Sequence, residues 1–181
     1  MNKTFDPEKK LYTLSLLVQD IPGVLSQVAR LFSRKGYNIE SIVSGETSQP
    51  GLTRITIVIL GDELMVNQIA AQCRKLIPVQ VVKILDEETS IQREFAMIKV
   101  RAEVIQMANI FRANIIDVSR ETLTVAIFGD KSKTSALIRL LSDFGILEMA
   151  KTGTLAIERG LSSIYDDSKL RTEYNYGKNV L

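Results

Sequence analysis

The pattern of apolar and polar residues is clearest between Leu11 and Glu40. Leu11–Gln19 is an apolar run interrupted by Thr13 and Ser15, which is typical of a mostly buried β-strand. After a short polar break, apolar residues return at helical spacing and predict a helix with one apolar face. That face comprises Val24, Leu25, Val28, Leu31 and Phe32. This strand and this helix are the best-defined elements in the sequence.

The turn that joins them carries strong local signals. Asp20 stands where a helix N-cap is expected, and Pro22 follows in the predicted first helical turn, where its missing N–H is tolerated. Gly36 is placed to end the helix in a left-handed conformation. Asn38 then begins the next extended segment.

Four further segments complete a β-α-β-β-α-β order by about residue 86. A strand at Ile39–Glu46 is followed by a polar hairpin loop and a strand at Arg54–Leu60. Asp62 is suited to cap a helix at Glu63–Leu76, and the β-branched run Val79–Leu85 predicts a closing strand. This order indicates a ferredoxin-like module, in which two helices cover one face of an antiparallel sheet.

The same order returns, more loosely, in the second half of the chain. The charged segment Asp86-Glu-Glu-Thr-Ser marks the boundary. The predicted elements after it are a strand at 93–100, a helix at 103–111, strands at 114–119 and 122–128, a helix at 131–142 and strands at 146–150 and 155–157. We therefore predict an α+β fold of two tandem ferredoxin-like βαββαβ modules, residues 1–86 and 87–160. The polar tail, residues 161–181, is expected to be mobile or used for docking.

The predicted turn has the chemistry to bind an amino acid. A helix N-terminus offers unpaired N–H groups and partial positive charge, and Gly23 leaves room for a ligand to approach them. Asp20 and Asn38 add polar side chains that suit an ammonium group. The residues alone favour the simpler alternative of a capped turn without a ligand, so both interpretations stay open.

Composition and charge exclude several classes of protein. Among 181 residues, 45% are hydrophobic and 24% are charged, which indicates a folded chain rather than a disordered one. The net charge of +2 is spread along the chain, so neither a nucleic-acid surface nor a membrane surface is indicated. Residues 1–10 are polar and too short for a targeting peptide. We expect the protein to work where it is made, in the cytoplasm, or in the plastid stroma if it is plastid-encoded.

The sequence contains no recognisable catalytic or metal-binding constellation. There is no histidine, which removes the commonest zinc ligand and the usual general base near neutral pH. The single cysteine, Cys73, lies on the apolar face of a predicted helix and is expected to be a buried structural thiol. No catalytic residue, no metal ligand and no cofactor are therefore predicted for this chain.

Several motifs resemble those of a known family. Asp20–Ser41 reads D-x-P-G-V-L-x-x-V-A-x-L-F-x-x-x-G-Y-N-I-E-S, which resembles the opening of the small, regulatory subunit of acetohydroxyacid synthase (acetolactate synthase). Further matches in the same order begin at Leu52 (LTRITI), Ile110 (IFRANIIDVS) and Phe144 (FGILEMAKTG). The resemblance covers about residues 10–160 and implies that the first module is an ACT domain, a module that typically binds amino-acid effectors.

The resemblance also implies a function and partners. A small subunit of this kind has no chemistry of its own. It activates a catalytic large subunit, a thiamine diphosphate-dependent carboligase that also uses Mg and FAD, and confers feedback inhibition by valine or another branched-chain amino acid on the pathway to valine, leucine and isoleucine. Family members pair their ACT domains as a homodimer. The effector-binding positions implied here are Asp20, Ile21, Gly23, Val24 and Leu25 from the turn, with Asn38 and Ile39 across the dimer interface.

Two alternatives use the same predicted fold. An RNA-recognition module shares the β-α-β-β-α-β order but reads RNA with aromatic residues on its central strands, and Arg54–Leu60 contains none. An ACT-domain sensor for a different enzyme or effector is the closer alternative, because this type of pocket does not name its ligand.

Overall fold

The first module is a four-stranded antiparallel sheet with two helices. The computed structural model describes residues 9–101 and 105–167. Within this part the first elements are β1 (Lys10–Gln19), α1 (Val24–Arg34), β2 (Ile39–Glu46), β3 (Leu52–Gly61), α2 (Glu63–Cys73) and β4 (Val79–Leu85). The strand order is β2-β3-β1-β4, so β2 and β4 form the two edges.

Alternation along the strands separates the two faces of this sheet. In β1, Leu14, Leu16 and Val18 face the helices and are fully buried. They join one core with residues of α1, β3, α2 and β4: Val24, Val28, Leu31, Phe32, Ile55, Ile57, Ile59, Val66, Ile69, Ala70, Cys73, Val79 and Val82. Cys73 is free and buried, as predicted. The intervening residues of β1, including Leu17, point to the opposite face.

The start of α1 differs from the prediction. The N-cap is Gly23, in a left-handed conformation with φ +85°, and no side chain caps the helix. Asp20 is therefore not the N-cap and Pro22 is not in the helix. Asp20 instead remains at the end of β1, where its N–H donates to the carbonyl of Gly51 at 2.8 Å.

The other predicted helix signals are confirmed. Gly36 has φ +70° directly after α1, where its N–H donates to Ser33 O and the N–H of Tyr37 donates to Phe32 O. This pair of bonds is a Schellman motif. Asp62 caps α2, because its side chain accepts a hydrogen bond of 2.7 Å from the N–H of Met65.

The second half contains another antiparallel sheet. Its elements are β5 (Ser90–Arg101), α3 (Ile105–Ile110), β6 (Asn114–Val118), β7 (Thr122–Gly129), α4 (Lys131–Ser142), β8 (Ile146–Lys151) and β9 (Leu155–Glu158). The strand order is β6-β7-β5-β8, with β9 pairing with β5 outside this path. A separate core lies between this sheet and its helices, formed largely by β5, β7 and α4. Positions 103–104, at the predicted start of α3, lie outside the described residues. The predicted fold class, α+β with two ferredoxin-like modules, is confirmed.

The chain divides into two units at positions that differ from the predicted boundaries. Among the described residues, unit 1 comprises 9–91 together with 156–167, and unit 2 comprises 92–101 and 105–155. Residues 156–167, which we call the return segment, therefore rejoin unit 1 instead of closing the second module or forming a free tail. The reason is apolar burial: a short 3-10 helix, Ile164–Asp167, carries Ile164, which is only 2% exposed. Residues 168–181 of the predicted tail lie outside the described part.

Candidate functional site

The turn before α1 has an open approach to the helix N-terminus. A Cβ atom added to Gly23 would meet no heavy atom within 4 Å. The N–H of Val24 donates to Ile21 O at 3.3 Å, and the N–H of Gln27 donates to Gly23 O at 3.0 Å. Between them, the N–H groups of Leu25 and Ser26 have no partner within the described residues. Unpaired donors at the positive end of a helix dipole favour an anion such as a carboxylate.

Two apolar side chains flank these donors. Ile21 is 45% exposed and Leu25 is 43% exposed, whereas Val24 is buried in the core of unit 1. Leu25 therefore does not belong to the buried face of α1, contrary to the sequence prediction. The buried face of α1 instead follows Val24, Val28, Leu31 and Phe32. The turn thus combines free N–H donors with exposed aliphatic surface, while the exposed carboxylate of Asp20 lies at its edge.

Asn38 and Ile39 lie at the opposite end of the same sheet. Ile39 is aligned with Ile59 of β3, and Ile59 is aligned with Tyr12 near the start of β1. The distance along β1 from Tyr12 to Asp20 spans eight residues of extended chain, which is roughly 25 Å at about 3.3 Å per residue. One ligand the size of an amino acid cannot contact both ends. Within a single chain the structure therefore brings together Asp20, Ile21, Gly23, Val24 and Leu25, but not Asn38 or Ile39.

The edge strand β2 carries the second group of predicted residues. The side chain of Asn38 is exposed and donates a hydrogen bond of 3.2 Å to Glu40 Oε1. Ile39 is half-buried against the core, and Ile42 further along the strand is 37% exposed. Within the described part of the sheet β2 pairs only with β3, so its outer edge presents backbone donors and acceptors.

The return segment covers the face of the first sheet that the helices leave open. Ile164 packs with Leu17, Leu52 and Val81, and Tyr165 packs against the same cluster. Arg54 donates a hydrogen bond of 3.1 Å to the carbonyl of Ala156. Sequence analysis missed this arrangement, and its only local signal was the apolar pair Ile164-Tyr165 within a polar stretch.

Lys83 fixes the return segment by charge. Its Nζ donates to both carboxylate oxygens of Glu158 at 3.0 Å and to Ser163 O at 2.8 Å, and it pairs with Asp167 at 3.3 Å. Burial alone lowers the pKa of Lys83, but the hydrogen bonds and charges of Glu158 and Asp167 outweigh it and raise that pKa above its usual value. Burial lowers the pKa of Arg54 against opposing contributions from Tyr165 and Glu158.

The remaining chemistry of the described residues is sparse. Burial raises the pKa of the Cys73 thiol to about 11, against the opposing charge of Arg74, so this thiol is protonated near neutral pH. No group of three or more Cys, Asp or Glu side chains within residues 9–101 and 105–167 is arranged to hold a metal ion. No helix in the same ranges is long and apolar enough to span a membrane.

Two family models match the chain, one in each half. Residues 14–81 match the ACT domain of acetohydroxyacid synthase small subunits, described as "AHAS small subunit-like ACT domain". Residues 93–160 match the model described as "Small subunit of acetolactate synthase". The matches correspond to the sheet of unit 1 and to most of unit 2 with the beginning of the return segment.

Relatives of similar length match most of the chain. The chain is 45% identical over 160 residues to the "Probable acetolactate synthase small subunit" of Methanothermobacter thermautotrophicus, covering 84% of this chain and 95% of that protein. It is 47% identical over 157 residues to the "Acetolactate synthase small subunit" of Mycobacterium bovis, covering 83% and 94%. The crystal structure of the acetolactate synthase small subunit from Thermotoga maritima superposes with a TM-score of 0.79 at 42% identity, covering 84% of this chain and 99% of that one. The resemblance seen in the sequence is therefore confirmed, and the chain belongs to the family of acetolactate synthase small, regulatory subunits.

Proposed function

We propose that this chain activates the catalytic subunit of acetolactate synthase and confers feedback inhibition by valine bound at the Gly23 turn. The observation that carries the proposal is the pair of unpartnered N–H groups of Leu25 and Ser26 beside the open space at Gly23. A carboxylate accepts hydrogen bonds from these groups, and the helix dipole favours its charge. The branched side chain of valine lies against Ile21 and Leu25, and Asp20 offers a carboxylate to its ammonium group.

The proposed site is completed by a second copy of the chain. If two β2 edges pair antiparallel with their centre near Ile42–Val43, Ile39 of one copy lies opposite Glu46 of the other. Glu46 aligns through Thr53 with Val18, next to the turn. This pairing therefore brings Asn38 and Ile39 of the partner subunit to the level of Asp20–Leu25, the end of the sheet that they do not reach within their own chain. It also satisfies the open edge of β2 with backbone hydrogen bonds.

The chemistry of the complex belongs to the catalytic partner in this proposal. Thiamine diphosphate, Mg and FAD are assigned to the large subunit, as the family resemblance implies. The chain itself supplies binding, dimerisation and regulation. Unit 1 is proposed to dimerise and dock on the partner, and unit 2 to be required for full inhibition.

An RNA-binding function is disfavoured by the structure of unit 1. The RNA-recognition module binds bases on the sheet face that its helices leave open. Here that face is covered by the return segment, with Ile164 and Tyr165 packed against Leu17, Leu52 and Val81.

The direct experiment is reconstitution of the full-length chain with an acetolactate synthase catalytic subunit. We expect higher activity with the chain than without it, and inhibition of the added activity by millimolar valine. Activation without any response to valine, leucine or isoleucine would refute the regulatory part. No co-purification and no activation would refute the assignment to this partner and favour a different enzyme regulated by the same fold.

A further inference from the structure

The return segment is in contact with the loop that supports the Gly23 turn. The N–H of Asp20 donates to Gly51 O at 2.8 Å, and the next residue, Leu52, is 8% exposed and packs with Ile164. The hydroxyl groups of Ser48 and Tyr165 are 3.4 Å apart. Gly51 therefore contacts the turn through its carbonyl group, and the side chain of the next residue, Leu52, contacts the return segment in one buried cluster.

Internal hydrogen bonds make the loop between β2 and β3 rigid. Thr47 Oγ1 lies 3.0 Å from Gln49 O and 3.1 Å from Leu52 O, and it donates its single proton to this pair of carbonyl oxygens. It also accepts a hydrogen bond from the N–H of Gln49 at 3.1 Å. The N–H of Thr47 donates to Leu52 O at 3.3 Å. A displacement of Gly51 therefore moves the loop as a body, so Ser48 and Leu52 move with it.

The return segment is also the part of unit 1 that follows unit 2 directly in the chain. Leu155 is the last residue of unit 2, and Ala156, the first residue of the return segment, accepts a hydrogen bond from Arg54. The N–H of Arg159 donates to Thr89 O at 2.9 Å, close to the residue where the chain first leaves unit 1. A shift of the return segment within unit 1 is therefore imposed on the covalent connection to unit 2.

We propose that the return segment is the output element of the effector turn. Ligand binding at Asp20–Leu25 shifts Gly51 and Leu52. The shift is passed to Ile164 and Tyr165, and it reaches the connection to unit 2 through the ion pairs that Lys83 forms with Glu158 and Asp167. This inference rests on the proposed function, because it requires that valine bind at the turn. It assigns to residues 156–167 a regulatory role that is separate from binding, carried by a continuous set of hydrogen bonds and packed side chains.

The test uses the full-length chain reconstituted with its catalytic subunit, and L-valine as the probe. Lys83→Met removes the ion pairs with Glu158 and Asp167 and the hydrogen bond to Ser163 O. We expect its valine Kd, measured by calorimetry, to stay within about threefold of wild type, while the valine concentration for half-inhibition rises at least about tenfold. Lys83→Arg, which keeps the charge pairs, is expected to restore inhibition.

Lys99→Met is the matched control. Lys99 also forms a lysine–glutamate pair on a strand, at 3.1 Å to Glu148, but it lies in unit 2. We expect it to be inhibited like wild type. If Lys83→Met does not fold, the milder double variant Ser48→Ala/Tyr165→Phe tests the same connection, with the same expected separation of binding from inhibition.

Hydrogen exchange of the wild-type complex distinguishes a regulatory role of the return segment from a purely structural one, because a purely structural role predicts no change in exchange when valine binds. Saturating valine is expected to change amide exchange in residues 161–167 at least about threefold, and not to do so in Gly23→Asp. Wild-type inhibition in the variants, or no change in exchange at 161–167 when valine is bound, would overturn this inference alone. A wild-type complex that ignores valine would overturn the proposed function and the inference with it.

Discussion

Replacing Gly23 with aspartate tests the proposed carboxylate site directly. Gly23 has φ +85°, so any L-residue there adopts a left-handed conformation that costs about 1–2 kcal/mol. Aspartate tolerates this region better than most residues, and an acid at a helix N-terminus interacts favourably with the dipole by about 0.3–1 kcal/mol. The added Cβ meets no atom within 4 Å. We therefore expect Gly23→Asp to lower the free energy of unfolding by no more than about 1–2 kcal/mol.

The expected effect on valine binding is larger than the effect on stability. The new carboxylate occupies the space in front of the N–H groups of Leu25 and Ser26 and places a negative charge beside the ligand carboxylate. Hydrogen bonds to a charged group contribute about 1.5–3 kcal/mol each. Loss of two of them corresponds to at least about 3 kcal/mol, which is more than a hundredfold in affinity.

Calorimetric titration with valine and thermal unfolding of each variant separate these two effects. Gly145→Asp is the matched control, because Gly145 has φ +79° and equally open surroundings but lies in unit 2. It should bind valine normally and lose more stability than Gly23→Asp, because Gly145 follows the C-terminal end of α4, where the helix dipole disfavours an acid. Gly23→Asn, similar in size and without charge, should give an intermediate loss. Unchanged valine affinity in a folded Gly23→Asp chain would remove this turn from the effector site.

The remaining predictions concern the second half of the site, the dimer, the buried thiol and the return segment. Asn38→Ala should weaken valine binding about five- to tenfold by calorimetry, because the substitution removes one polar contact with the ligand. The melting temperature should not fall, because the Asn38 side chain is exposed; valine affinity equal to that of wild type would contradict this role. Light scattering of the full-length chain should give a dimer at micromolar concentration, and Ile42→Glu should weaken it at least tenfold, because it puts a charged side chain in place of an apolar one at the centre of the paired edges; a wild-type monomer would refute the β2 pairing. Burial holds the pKa of Cys73 at about 11, above its usual 9.0, so its contribution to stability is complete below pH 9 and is lost as the pH rises towards 11. In denaturant unfolding between pH 8 and 10.5, Cys73→Ala should therefore lose less stability than wild type, by about 2 kcal/mol; equal losses would contradict the assignment. A fragment of residues 1–91 should bind a hydrophobic dye and unfold more readily than the full chain, because Leu17, Leu52 and Val81 lose the cover of Ile164; equal stability would show that the return segment is dispensable to the sheet.

The elements of unit 1 were predictable because local chemistry and burial agree there. The alternation of β1, the spacing of α1, the Schellman turn at Gly36 and the cap at Asp62 each depend on residues within one turn or strand. The strands β2 and β4 were predicted with the bounds that the structure gives them. Where a local rule failed, a distant partner was the cause. Asp20 is a good N-cap by residue type, but its backbone bonds to Gly51, which the chain reaches only after the β2–β3 hairpin begins to close.

The candidate site was predictable in part for the same reason. The open helix N-terminus follows from Gly23 and its neighbours, and family resemblance added Asn38 and Ile39. Sequence spacing alone gave no sign that these two groups lie at opposite ends of one sheet. That separation arises from strand direction: β1 and β2 run the same way, so the end of one and the start of the other are far apart. In two copies paired through β2, Asn38 and Ile39 of one copy would lie at the level of the turn of the other. Dimerisation and effector binding are therefore one hypothesis here rather than two.

The return segment shows where a reading by composition fails. Residues 161–167 are mostly polar, and polarity predicted a tail that is mobile or used for docking. One isoleucine instead holds these residues on unit 1, because the open face of the first sheet offers Leu17, Leu52 and Val81 as partners and Lys83 as an anchor for Glu158 and Asp167. Part of this face is visible in the sequence, because Leu17 in β1 and Val81 and Leu85 in β4 are apolar at positions that alternate with the buried core, although Thr13 and Ser15 of β1 are polar. The residues that lie one place out of step with the buried core were therefore evidence of a missing layer, and that layer is supplied by the part of the chain that returns from unit 2.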